Sequence, residues 1–348
     1  MSVRAGGGPQ SISEEAGQAK AARSAVRATP LVVVALLNWN GCEDTLECVR
    51  SLQKLTYTNH QIVIVDNGSE GDDVHRLRAE LGESVHLIEN GRNEGYCEGN
   101  NIGMRYALAM GADYILLLNN DTIVAPDLVS HLVRLADGDP MVGIVVPGIF
   151  LYDRPQTLAY PRVIDRWPLT LSWLIGPFFS FLRLRRVERP LVIRHLDGCC
   201  FLVKRNVLEE TGLLDPDYFF PGGPADLGKA AMDLGHRIVA VPEAVIWAKV
   251  ARSFGDQRRG ALAYAYWGPR TEIMFARKHF NRMQLAAFLA LSPLRAAVWL
   301  VAYGRRARSL GVLPAIARGV RDGSRFPISH HSGSNRPHVR SSAGLSRH

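Results

Sequence analysis

"LVVVALLNWNG", residues 31–41, decides the fold. An apolar run a few residues after Arg27 could be the core of a secretory leader or a strand buried on both faces. The run is seven residues long and passes into Asn38-Trp39-Asn40-Gly41, where a leader would show a small-residue cleavage site. It is far shorter than the roughly 20 apolar residues of a membrane span. Its continuous β-branched character is that of a strand inside a parallel sheet, closed by a turn of Asn and Gly.

The same pattern recurs downstream. "CEDTLECVRSLQKL" (42–55) sets Leu46, Val49 and Leu52 at helical spacing, and "QIVIVD" (61–66) is a second buried strand. A helix over 72–81 and a strand over 85–90 follow, then a helix over 97–111 and a strand over 113–121. "APDLVSHLVRLA" (125–136) has Pro126 near a helix start, and "VGIVVP" (142–147) is a fifth strand. Alternation of this kind predicts an open, mostly parallel α/β sheet, whose ligands sit beyond the carboxyl ends of the strands. Four successive ends carry Asn38-Trp39-Asn40, Asp66-Asn67-Gly68-Ser69, Asn90 to Gly95, and Asn119-Asn120-Asp121. Asn, Asp and Gly also form ordinary turns. Four such ends in succession, two with carboxylates, favour a ligand site. GxGxxG after the first strand and GxxxxGK[ST] are both absent, which excludes the usual dinucleotide and P-loop modes. Asp121 is the candidate ligand for a hard divalent cation, which often takes only one or two protein carboxylates and completes its shell with phosphate oxygens and water.

"LLNWNG", "VIVDNGSEG", "NGRNEGYCEGNNIG" and "YILLLNNDT" resemble, in order and spacing, the successive motifs of family 2 glycosyltransferases of the GT-A fold. The bacterial rhamnosyltransferase-like subgroup is the most similar. The resemblance continues through "LDGCCFLVKRNVLEETGLLDPDYFF" and "GHRIVAVPEAVIW" and covers about residues 31–280. It implies a GT-A-like nucleotide-diphospho-sugar transferase fold, a mostly parallel central sheet with C-terminal helices. The implied activity is inverting transfer of a sugar, rhamnose first, from a dTDP- or UDP-sugar to an acceptor hydroxyl, with Mg²⁺ or Mn²⁺ as cofactor. Carried over by position, Asn38 and Asn40 line the nucleotide pocket, and Asp66 accepts the N3–H of a uracil or thymine base. Asn93 and Gly95 fall in the loop that approaches the nucleotide. Asn119, Asn120 and Asp121 stand at the DxD-type motif, with Asp121 as metal ligand. The chemistry also needs a general base for the acceptor hydroxyl.

"YFFPGGPADLGKAAMDLGHRI" (218–238) departs from the family pattern. In relatives the aromatics are followed by a Gly-Glu-Asp-x-Asp segment that starts a helix and carries the base. Here Gly223, Pro224 and Ala225 replace the acidic pair, and Asp226 falls on the second Asp. Asp226, at the expected helix start, is an N-cap by position and one candidate base. Asp197 in "HLDGCC" (195–200) is the other, since it precedes the strand that by resemblance borders the acceptor site. A third reading keeps donor binding and loses transfer. Ala248 stands where many relatives have His.

The net charge is +8, and the stretch from Arg305 to His348 holds nine Arg against one Asp. This basic end suits an anionic membrane leaflet better than nucleic acid, because the body carries no aromatic or arginine stripe. Five cysteines without paired CxxC motifs argue against structural zinc and fit reduced thiols. The expected organisation is a lead over 1–29 and a glycosyltransferase domain over 30–280, divided into a nucleotide-sugar half (30–150) and an acceptor half (151–280). C-terminal helices follow over 281–324, then a basic tail over 325–348. The apolar stretches 167–182 and 283–303 could lie in a membrane interface. The expected location is the cytoplasm, with peripheral contact at the inner face of the membrane. The expected acceptor is a lipid-linked saccharide or a small molecule.

Overall fold

The computed structural model of the chain describes residues 29–166, 171–172, 175, 189–249, 257–307 and 311–327. The lead over 1–29, the stretch 167–182 and the tail over 325–348 lie almost wholly outside the described residues. Val32–Asn38 forms β1 and is buried along nearly its whole length, as a continuous apolar run with both faces covered requires. It pairs in parallel with β2 (His60–Asp66) on one side and β4 (Tyr114–Asn119) on the other. Between them in sequence come α1 (Cys42–Leu52), α2 (Asp73–Leu81), β3 (His86–Glu89) and α3 (Gly95–Ala109).

After β4 the chain makes the short β5 (Thr122–Val124), then α4 (Leu128–Gly138) and β6 (Val142–Leu151). The strands β7 (Arg154–Tyr160), β8 (Leu191–Ile193) and β9 (Cys200–Lys204) follow, with β10 (Arg237–Ala248) last. The sheet order is β3-β2-β1-β4-β9-β6-β10-β5, with β7 added on β6 and β8 on β10. On that path only β9 and the edge strand β5 run against the rest, so the central sheet is mostly parallel by strand direction. The path turns back at β1: the chain moves outward through β2 and β3, then returns to the other side of β1 as β4. Open α/β sheets bind ligands in the crevice at such a reversal.

Two helices flank the second half of the sheet, α5 (Arg205–Thr211) and α6 (Gly223–Asp233). Four more close the described chain: α7 (Gln257–His279), α8 (Arg282–Ala290), α9 (Ser292–Ala307) and α10 (Val312–Arg325). Met274 and Phe275 at the far end of α7 belong to the main core. Ala261 and Ala265 at its near end pack in a separate core with Trp299, Val312, Ala315 and Ile316. The helical part therefore begins with α7, inside the span expected for the sheet domain, and α7 ties the two cores together.

Candidate functional site

The ends of β1 and β2 lie in register, Asn38 beside Asp66, both buried. The Asn38 amide donates to Asp66 Oδ1 at 2.8 Å. Ser69 adds two bonds to the same carboxylate, Oγ to Oδ1 at 2.6 Å and the backbone N–H to Oδ2 at 3.0 Å. A carboxylate offers about four acceptor positions, so Oδ2 keeps capacity for one further N–H donor. The Asn38 carbonyl oxygen accepts from the Thr45 hydroxyl at 2.8 Å, and Thr45 Oγ1 accepts the Asn120 amide at 2.9 Å. Asn38, expected to line the nucleotide pocket, and Asn120, expected at the DxD-type motif, thus use their side chains inside the protein, fixing the strand ends. Asn40 is exposed, with φ 52°, and its side-chain oxygen accepts the Glu70 N–H at 2.7 Å, which holds the loop after β2.

A second hub lies one residue on. The buried Asn67 amide donates to Asn93 Oδ1 and to the Gly95 carbonyl, each at 3.1 Å, and its oxygen accepts from Asn90 and from the Glu94 N–H. Asn93 also receives the Gly95 N–H at 2.8 Å. Gly95 has φ +80°, and a Cβ there would come within 2.5 Å of the Phe219 ring. The space left by its missing side chain is filled by Phe219, not reserved for a nucleotide, and the Tyr96 N–H donates to the Phe219 carbonyl at 2.8 Å. Phe219 in turn stacks on Trp267 of α7, with ring centroids 4.8 Å apart.

Asp121 is 6% exposed just beyond β4, and its carbonyl accepts the Lys249 N–H at 2.9 Å from the end of β10. The Lys249 ammonium is buried against Asp44, at 2.6 Å, and Glu47 of α1. The Asn119 N–H donates to the Cys199 carbonyl at 2.9 Å, extending the antiparallel β4–β9 ladder to the mouth of the crevice. Asp197 sits two residues past that pair, half-buried, with Oδ1 accepting the Cys199 N–H at 2.8 Å. Burial pushes the Cys199 thiol well above its usual pKa, and the charges of Asp197 and Asp121 both add to that rise. Pro224, where relatives carry the base, packs with its ring close to Gly198. Gly198 directly follows Asp197, so the chain at Asp197 passes close to Pro224.

Asp226 is different. The residue before α6 is Gly222 in a left-handed conformation, Pro224 follows in the first turn, and Asp226 lies deeper in the helix with no capping bond. Its carboxylate is 1% exposed. Oδ1 meets His279 Nε2 at 2.6 Å, and Oδ2 accepts from Lys278 Nζ at 2.9 Å. Burial pushes the Asp226 pKa up, but His279 and Lys278 outweigh it and hold the carboxyl below its usual range. Lys278 is shared with Asp215 at 2.6 Å. The expected N-cap and base roles are both corrected: Asp226 is sealed from any acceptor and anchors α6 to the end of α7.

The Glycosyl transferase family 2 model matches residues 32–212, more than half of the chain. The chain belongs to that family. This family 2 glycosyltransferase is 32% identical over 110 residues to the dTDP-rhamnosyl transferase RfbF of Shigella flexneri, covering 32% of the chain and 36% of that protein. It is 23% identical over 196 residues to the low-salt glycan biosynthesis hexosyltransferase Agl10 of Haloferax volcanii, covering 53% of the chain and 56% of the relative. With an N-acetylglucosaminyltransferase of Bradyrhizobium diazoefficiens the identity is 28% over 261 residues, covering 68% and 48%. The chain spans about half the length of these relatives, or less. A mannosyltransferase of Pyrobaculum calidifontis, solved with GDP-Man and Mn²⁺, superposes with a TM-score of 0.50 at 17% identity, covering 86% of the chain and 87% of that structure. GalNAc-T7, solved with UDP, GalNAc and Mn²⁺, gives 0.51 at 16%, covering 80% and 58%. These likenesses establish the GT-A fold.

In the family 2 glycosyltransferase no three His, Cys, Asp or Glu side chains among the described residues converge as a metal cage. Of Asn119, Asn120 and Asp121 at the end of β4, Asp121 carries the carboxylate. That donor set fits a cation that arrives with a diphosphate and completes its shell from it, and does not fit a site built wholly of protein. Ala248 is buried and brings no imidazole to this end of the sheet. The five thiols are free, and burial raises the Cys42 pKa to about 11 and the Cys48 pKa to about 12, against thiolate formation there. Sequence reasoning missed Thr45, Ser69, Lys278 and His279. Ser69 was named at the end of β2, but not its bonds to Asp66, although Asp and Ser side chains commonly bond nearby backbone in a turn. Lys278 and His279 act across more than 50 residues, and Thr45 reaches Asn38 from α1 and Asn120 from 75 residues away.

Proposed function

We propose that the chain is an inverting glycosyltransferase that moves a sugar, rhamnose first, from a dTDP- or UDP-sugar to the hydroxyl of a saccharide acceptor. The observation that carries the reading is the arrangement of strand ends: Asp66, held by Asn38 and Ser69, ends β2, and Asp121 follows β4, on either side of β1 where the sheet order reverses. The rhamnosyl name of the Shigella flexneri relative supports the choice of sugar, over its 110 matched residues.

Asp66 Oδ2 accepts the N3–H of the pyrimidine, which no purine base offers in the same place. Asn40 and the loop pinned by Asn67 border the nucleotide. Asp121 would hold a Mg²⁺ or Mn²⁺ ion, and the charge of that ion, when bound, would offset the charge on the departing diphosphate. On the opposite side Asp197 takes the proton of the acceptor hydroxyl as the C–O bond forms, a role worth typically about 10²–10⁴-fold. Its backbone partner, the Cys199 N–H, fixes one oxygen and leaves the other to the acceptor.

A second reading, nucleotide-sugar binding without transfer, is favoured by one observation: Pro224 stands at the family's base position, and Asp226 is sealed among cations. A thermal-shift panel of nucleotide sugars, with and without Mg²⁺ or Mn²⁺, tests the donor half. Sugar release from the stabilising donor, assayed with wild-type and Asp197→Asn protein, separates the two readings. Stabilisation by dTDP- or UDP-sugars with no turnover across saccharide acceptors supports the second, and no stabilisation by any of them sinks both.

A further inference from the structure

The helices α8 and α9 turn a continuous apolar face to solvent. Met283, Ala287, Ala290, Leu294, Ala297 and Val301 are exposed and recur at intervals of three and four residues, the spacing of one helix face. The Leu291 N–H bonds to Ala287 and the Arg295 N–H to Leu291, so helical bonding continues across the junction, with a bend of 50°. Among the described residues five of the eleven large exposed apolar side chains lie on α8 to α10, which makes this a patch and not scattered exposure. Met283 is 83% exposed, Val301 57% and Leu294 55%.

In sequence Arg295 interrupts this stretch, but the structure turns that charge inward. Arg295 is 1% exposed, paired with Glu272 of α7 and set over the rings of Phe288 and Trp299. The outward face is therefore uncharged from Met283 to Val301, and exposed arginines close it at Arg282 and Arg305. The neighbouring α10 repeats the arrangement: Leu313, Pro314 and Ala317 face outward, followed by Arg318, Arg321 and Arg325. Residues 281–327 hold eight arginines against one acid, Asp322, which bonds to Arg321 and to the Tyr266 hydroxyl.

An apolar strip rimmed by arginine is complementary to one partner chemistry, an acyl layer under negative headgroups. No single helix among the described residues is long and apolar enough to cross a membrane. Spanning by the bent pair is disfavoured because Phe288, Arg295 and Trp299 commit its other face to the protein. We infer that the outward face of α8 and α9 lies in the surface of an anionic phospholipid leaflet, with Arg282, Arg305 and the arginines of α10 at the headgroups. The inference rests on the helical part and stands whether or not the transfer reading does.

Full-length protein is sedimented with vesicles of phosphatidylcholine alone and of phosphatidylcholine mixed with phosphatidylglycerol. Binding is expected only to the anionic vesicles and to weaken in high salt. The exposed-face variants Met283→Asp and Leu294→Asp are expected to bind about tenfold more weakly or less, with unchanged melting temperature. Replacing Arg318, Arg321 and Arg325 by Ala is expected to remove most of the salt-sensitive part. Deleting residues 328–348 separates the tail from the face. The inference is overturned if wild-type protein ignores anionic vesicles, if the Asp variants bind as wild type, or if the tail deletion alone abolishes binding. It is also overturned if the chain is a dimer that Leu294→Asp converts to monomer, because a second copy then covers the face.

Discussion

The side-chain amide of Asn38 donates to the carboxylate of Asp66 at 2.8 Å, between residues paired across the ends of β1 and β2. Asn38 also receives the Thr45 hydroxyl, so one buried amide sets the orientation of the carboxylate and of the α1 start. Asn38→Ala leaves Asp66, Thr45 and Asn120 each short of a partner. The expected cost is about 1–3 kcal/mol of stability, the penalty for a buried polar group left unsatisfied, read by chemical denaturation. Asp66→Asn keeps the size and loses the acceptor charge. Titration with UDP or dTDP is expected to show affinity weakened by about tenfold or more, with the fold intact.

Asp121→Ala removes the only carboxylate offered at the end of β4. The stabilisation that Mg²⁺ or Mn²⁺ adds on top of donor binding is expected to vanish, leaving whatever stabilisation the donor gives by itself. A thermal shift measured with and without metal reads this directly and does not depend on turnover.

Asp197 and Asp226 separate by what their loss changes. Asp197→Asn is expected to lower kcat by about 10²–10⁴-fold with donor affinity unchanged. Asp226→Asn strands His279 and half of the Lys278 pairing in a buried site. Lys278 keeps Asp215, so the expected loss is near the lower end of the range for a broken buried pair, about 3 kcal/mol.

The same pair fixes a pH dependence. Burial opposes the charge on Asp226, but His279 and Lys278 hold its folded pKa below the ordinary one. Its stabilising contribution is therefore complete above the ordinary carboxylate value, about 4, and is lost as pH falls through the depressed folded value. Lys278 runs the other way: burial alone would lower it, and Asp226 and Asp215 raise it. Its contribution is complete below the ordinary lysine value, about 10.4, and is lost as pH climbs through the raised folded value. Wild-type melting temperature against pH is expected to show both limbs, and Asp226→Asn to flatten the acid one.

Gly95→Ala places a methyl within 2.5 Å of the Phe219 ring and 2.7 Å of its carbonyl oxygen, at φ +80°. The expected destabilisation is about 1–3 kcal/mol from the backbone alone, with the clash added. Limited proteolysis is expected to open first in the loops around residues 90–95 and 218–222.

The sheet was legible because its information is local. Val32 to Leu37 and Ile62 to Val65 are apolar runs with polar ends, and a parallel strand needs little else to be recognised. The inserted antiparallel β9 was not, because nothing within "CCFLVK" says which neighbours it will have. At the site, the strand ends that carry Asn38, Asp66 and Asp121 were found from position alone. What each side chain does there was less legible. Asn120 and Asp226 look like ligand residues in sequence, but Thr45 meets the one, and Lys278 and His279 meet the other, from residues up to 75 positions away.

Gly95, Phe219 and Trp267 belong to three segments scattered over half the chain, yet they touch in sequence as methylene, benzene ring and indole. A larger residue at the first position meets the ring and the backbone carbonyl of the second at once, and any shift of that ring disturbs its stack on the third. The three positions constrain one another, so a change at any one of them loosens the join between the loop at 95, the loop at 219 and α7.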